Sequence, residues 1–190
     1  MKKILSLFAQ TILISGFGLS VIACYNPLAD NHGDNNNPEI IPSPPPTKDI
    51  KYYETLINEK QKAVATYQQS IKEIQEEWDK NENEDISDEA FQIMIDLVSI
   101  DLYTNQDQIN EYQYQILLLN KKDDEFTSKQ VCQGIDIFKE KIKNLQELLK
   151  IKEKYPDDYP ESTLKDIKTK IEEAREIKEF FENLKEEGEK

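Results

Sequence analysis

Between Thr47 and Pro156 the chain contains no proline and a single glycine, Gly134. A stretch of this length without helix breakers, whose apolar residues recur at intervals of three and four, places one apolar stripe along each of a few long helices. The first helix is expected over residues 48–81, with Ile50, Tyr53, Ile57, Val64, Tyr67, Ile71, Ile74 and Trp78 on its stripe and Lys60 as the one interruption. The second opens at Ser87, a side-chain acceptor suited to an N-cap, with Asp88 and Glu89 in its first turn. It runs through Ile95, Val98, Leu102, Asn105, Ile109, Tyr112 and Ile116 to Leu119. Thr127 and Gln130 have capping-box spacing, flanked by Phe126 and Val131 as a hydrophobic staple, and they start a third helix that Pro156 stops after Tyr155. The fourth follows Pro160 and carries Leu164, Ile167, Ile171, Ala174, Ile177, Phe181 and Leu184 before Gly188.

Short connections between long amphipathic helices favour antiparallel neighbours. The expected fold is therefore all-α: an elongated up-down-up-down four-helix bundle, antiparallel and coiled-coil-like, over residues 48–190. Its helices are about 40–50 Å long at 1.5 Å per residue. A looser antiparallel coiled coil with swapped helices is the alternative packing. The second helix is apolar on several faces between Ile93 and Leu102, so its first half should be the most enclosed. Counting back from the first turn sets Lys60 near Asp107 and Asn105 near Val64, which predicts a polar layer between the first two helices.

Upstream of the helices the composition changes. Six of the eight prolines and the run Asn35, Asn36, Asn37 fall before Lys48. Such a segment buries too little apolar surface to offset the entropy of ordering it, so residues 24–47 are expected to form a disordered tether. Asp30, His32, Asp34 and Glu39 lie in it, but Gly33 is not at the sixth position of a calcium loop. His32 is the only histidine. A tether does not position an acid, a base or a metal ligand.

The extreme N-terminus is Met1, Lys2, Lys3, then a largely apolar run from Ile4 to Ala23 that ends in Cys24. A short cationic stretch followed by an apolar one is a secretory signal, here residues 1–23. Val21, Ile22, Ala23 and Cys24 resemble the lipobox of bacterial lipoproteins, and the wording of the signal looks like surface lipoproteins of mollicutes, the spiroplasma type in particular. The 23 lysines against a single arginine suit an AT-rich genome of that kind. The resemblance covers residues 1–24. It implies cleavage after Ala23, thioether lipidation of Cys24 and anchoring, through acyl chains such as palmitate, on the outer face of the cell membrane. Two buried chains would make such attachment durable, whereas one alone is marginal.

The whole chain carries a net charge of −14, and losing Lys2 and Lys3 with the signal leaves −16. Nucleic acid and anionic lipid surfaces are repelled by this balance, and a basic protein is the partner it permits. Cys132 is the only other thiol, and its position reads as a small, half-buried helix residue. The folded part offers no histidine, no glycine-rich phosphate loop and no cysteine pair. The sequence thus implies no enzyme, no cofactor, no metal site and no small-molecule substrate. What it implies is a protein-interaction module, an adhesin or host-factor binder, or else a structural scaffold that self-associates.

Two surfaces are candidates. In an up-down-up-down bundle the turns after the first and third helices share the end remote from the tether. Glu82, Glu84, Asp85, Asp157 and Asp158 cluster there, with Trp78, Tyr155 and Tyr159 as aromatic anchors. The second candidate is a tyrosine and amide patch on the second helix, where Tyr103, Asn110 and Tyr114 share a face turned away from the Leu102, Ile109, Ile116 stripe.

Overall fold

A computed structural model of the chain describes residues 48–80, 86–122 and 125–188. The chain divides after Thr47 into two units, residues 1–47 and 48–190. The expected signal segment and tether, with Cys24 and His32, lie outside the described residues, as do Glu82, Glu84 and Asp85.

The fold is all-α. Four helices follow one another: α1 (Ile50–Asp79), α2 (Asp88–Leu119), α3 (Ser128–Lys152) and α4 (Glu161–Gly188). Local capping sets their starts. The Asp49 carboxylate accepts from the Tyr52 backbone N–H at 2.8 Å, and Ser87 Oγ accepts from the Ala90 N–H at 3.2 Å. Thr127 and Gln130 form the reciprocal capping box. Each such cap satisfies a backbone N–H that has no partner within the helix and contributes about 1 kcal/mol. Helix α3 ends at Lys152, three residues short of the position expected from Pro156, and Tyr155 lies in the following turn. The Pro160 carbonyl then accepts from the Thr163 N–H at 2.9 Å to begin α4.

Side-chain pairs fix an antiparallel order throughout. Trp78 stacks on Phe91, and Tyr53 meets Tyr112 at the other end of the α1–α2 pair. Lys154 reaches Asp96 while Gln130 donates to the Asn120 carbonyl, which sets α2 against α3. Lys168 pairs with Glu153, and Phe181 lies against Phe126 and Phe138, so α3 and α4 are also antiparallel. The bundle grows by consecutive pairing, with α1 along α2, α3 along α2, and α4 along α3.

Two apolar clusters hold α2, α3 and α4 together. One contains Ile100, Leu145, Leu148, Ile151, Ile167 and Ile171. The other contains Leu117, Val131, Phe138, Ala174 and Phe181. Helix α1 buries only Tyr67 and Ile74, so its stripe is half-covered and the core belongs mainly to the other three helices. The first half of α2 is enclosed as expected, with Phe91, Met94, Val98, Ile100 and Leu102 buried, yet Ile93 and Leu97 stay exposed.

The expected polar layer is corrected. The ring pairs place Lys60 and Asn105 at about the predicted levels, but Asp107 turns toward α3 and meets Lys141 at 3.2 Å. The Asn105 amide donates to the Asp101 carbonyl of its own helix at 2.8 Å. A position along a helix axis does not set the azimuth, and residues two apart point about 200° apart. Cys132 is likewise exposed rather than half-buried, because its neighbour Val131 takes the core position.

Candidate functional site

The start of α2 and the turn after α3 lie at one end of the bundle, where the negative charge of Glu89 acts on Tyr155. Asp88, Glu89, Asp157, Asp158 and Glu161 are all exposed there. The aromatic residues expected to anchor a partner are instead packed within the chain. Trp78 is half-buried, lies 5.7 Å from the Phe91 ring with an interplanar angle of 2°, and donates from Nε1 to Asp88 at 2.7 Å. Tyr159 packs on the Ile100 and Leu148 cluster, and the Lys152 ammonium sits 4.7 Å from its ring centroid. Burial, then the charges of Asp158 and Asp101, raise the Tyr159 pKa. These rings form a rigid floor beneath the carboxylates rather than a free apolar surface, since each already has a partner in the fold.

Beneath this end lies Asp96, 3 % exposed. Its Oδ2 accepts from Lys154 Nζ at 2.7 Å and from the Tyr155 hydroxyl at 2.9 Å, and its Oδ1 accepts from Gln92 Nε2 at 2.9 Å. Burial alone would raise the pKa of this carboxyl. Hydrogen bonds from Lys154, Tyr155 and Gln92 and the Lys154 charge outweigh it, so the pKa is lowered. Burial and donation to Asp96 push the Tyr155 hydroxyl up to about 12. Asp96 therefore ties the turn after α3 onto α2 and fixes how the distal carboxylates are presented. Sequence reasoning missed it. The available signal was a lone carboxylate inside the apolar run from Ile93 to Ile100, where a charge must find partners.

The tyrosine and amide patch is corrected too. Tyr103, Asn110 and Tyr114 do share a face of α2, but that face is the one covered by α3 and α4. Tyr103 packs on one core cluster and Tyr114 on the other, with the Tyr114 ring edge-on to Phe138 at 4.8 Å. Asn110 is buried. With its amide oriented to suit its neighbours, it accepts from the Lys141 N–H at 2.7 Å and donates to the Gln106 carbonyl at 3.3 Å.

Beside it Lys141, nearly buried, is held between Asp107 at 3.2 Å and Glu111 at 2.8 Å. Burial would lower the Lys141 pKa, but the Glu111 hydrogen bond and the Asp107 charge raise it overall. The amide-rich middle of α2 is thus mostly an interhelical polar layer. It lies between α2 and α3, not between the first two helices.

Among the described residues no group of three or more His, Cys, Asp or Glu side chains is placed to hold a metal ion. None of the described helices is long and apolar enough to cross a membrane. No protein-family model, curated protein or solved structure matches the chain.

Proposed function

We propose that this chain is a bacterial surface lipoprotein, anchored through lipid on Cys24, whose helical domain is a protein-interaction module for a basic partner. The observation that carries the reading is the end of the bundle where Glu89, Asp157, Asp158 and Glu161 stand exposed. The described helical domain begins at Lys48, at the opposite end, where Tyr53 of α1 meets Tyr112 of α2. A tether attached there would hold the acidic end outward. Exposed carboxylates on a floor made rigid by Asp96 and Tyr155 steer a cationic partner and lose little ordering entropy on contact. Lipidation and the outer-face location rest on the resemblance of residues 1–24 to lipoprotein signals.

A self-associating scaffold is the second reading. Ile93 and Leu97, four residues apart on one face of α2, are 37 % and 45 % exposed and favour it.

Both parts of the proposal have tests. Cys24→Ser should leave a precursor of higher mass that no longer partitions with detergent-phase membrane protein, and unchanged mass and partitioning refute the anchor. The quadruple variant Glu89→Gln, Asp157→Asn, Asp158→Asn, Glu161→Gln should lose most of its cell adhesion and pull down fewer basic proteins, with a flatter salt dependence. Undiminished binding refutes the distal end as the site.

A further inference from the structure

Along the side of the bundle, away from the distal carboxylates, α2 and α3 leave an open groove of about 810 Å³. Its walls are carboxamides and branched apolar side chains: Gln106, Asn110 and Gln113 from α2 with Gln133, Ile137 and Asn144 from α3. The register that sets Lys154 against Asp96 and Gln130 against Asn120 also sets Asn144 opposite Gln106. Asn144 is only 6 % exposed. Among the described residues its carboxamide has no hydrogen-bond partner. Gln106 Oε1, by contrast, is sealed from solvent without a partner.

At one level of the groove Asn144 thus offers an amide that pairs with nothing else in the described chain, opposite a Gln106 side chain whose oxygen is turned inward. The complement is a neutral group that both donates and accepts.

We propose that this groove binds an extended peptide, whose backbone N–H and C=O groups meet Asn144 and Gln113. From the Gln106 level to the Asn120 level α2 advances about 21 Å. That is the span of roughly six residues of extended chain at 3.3 Å each. Charge on the rim sets the direction. Asp136 and Glu140 are exposed midway along α3, while Lys122 and Lys129 are exposed at the end next to the turn between the helices. The fitting peptide carries a basic side chain opposite Asp136 and Glu140 and an acidic group toward Lys129. Ile109, Ile116 and Ile137 accept small apolar side chains between them. A second copy of this chain is a poor occupant, since it brings a further net charge of −14. The site is separate from the acidic distal end, and neither proposal depends on the other.

The test uses the full chain and a random twelve-residue peptide library displayed on phage. Selected peptides should share the basic-then-acidic pattern. The best of them, made synthetically with a fluorophore, should bind Asn144→Leu at least tenfold more weakly by anisotropy. Gln113→Ala with Gln133→Ala, at half-buried and exposed positions that leave the core intact, should weaken it by a similar factor. Asp157→Asn with Asp158→Asn should leave it unchanged. The proposal is overturned if no peptide is enriched, if the groove variants bind the selected peptide as well as the parent does, or if a concentration-dependent dimer protects Gln113 and Gln133 from solvent.

Discussion

Gly134→Ala sets two effects of opposite sign against each other. Inside a helix, alanine in place of glycine is worth up to about 1 kcal/mol from backbone entropy alone. At this position, however, an added Cβ would lie 2.7 Å from three atoms of the Phe181 ring. The ring cannot withdraw easily. Phe181 is 0 % exposed and is boxed in by Phe126 at 5.0 Å, Phe138 at 6.3 Å and Tyr114 at 6.4 Å between centroids. Overpacking of such a site costs roughly 1–3 kcal/mol, so the steric term wins and the variant loses about 1–2 kcal/mol net. For a domain of this size that lowers Tm by roughly 3–8 °C.

Thermal and urea unfolding of the two proteins measures the loss. Repeating the substitution in a Phe181→Leu background, where a smaller side chain leaves room for the methyl, should abolish or reverse it, giving a coupling energy of at least about 1 kcal/mol. A Gly134→Ala variant that is more stable than the parent, or an unchanged penalty in the Phe181→Leu background, would refute the claim that close approach of α3 and α4 at Phe181 dictates this glycine.

Three further outcomes follow from the same geometry. Lys141→Met strands Asp107, whose side chain is 16 % exposed. Urea unfolding should show a loss near the lower end of the roughly 3–5 kcal/mol seen on breaking buried pairs, because Glu111 is half-exposed and rehydrates. Asp96 has a folded pKa below its ordinary value, so its stabilisation is present above the unfolded carboxyl pKa of about 3.9 and is lost as pH falls through the lower folded value. Asp96→Asn should therefore be less stable than the parent at pH 7, with the difference shrinking below about pH 4 in a pH series of melts. Thr127→Ala removes the capping-box acceptor and should cost about 1 kcal/mol, read as a shift of the urea midpoint at constant m.

Much of this protein is local chemistry that can be read along the chain. Proline and glycine punctuation, Ser87 and Thr127 as caps, and the three-four stripes specify four helices to within a few residues, because capping and periodicity involve only neighbours in sequence. Short turns then dictate antiparallel order, and with it the meeting of the start of α2 with the turn after α3 at one end.

Azimuth was not legible. Tyr103, Asn110 and Tyr114 read as surface because they lie away from the Leu102, Ile109, Ile116 stripe. A helix with three helical neighbours, however, is covered on more than one side, and α3 and α4 pack on the second face. For the same reason Asp107 could be placed at its level along the bundle but not assigned to Lys141. Whether Trp78, Tyr155 and Tyr159 are free or engaged depends on Phe91, Asp96 and Lys152, residues remote in sequence or on other elements. Only packing brings such groups within the few ångströms at which a ring contact or hydrogen bond acts. The groove exists on the same terms: Asn144 and Gln106 are ordinary polar helix residues in the sequence, and the antiparallel register of α2 and α3 alone makes them its opposite walls.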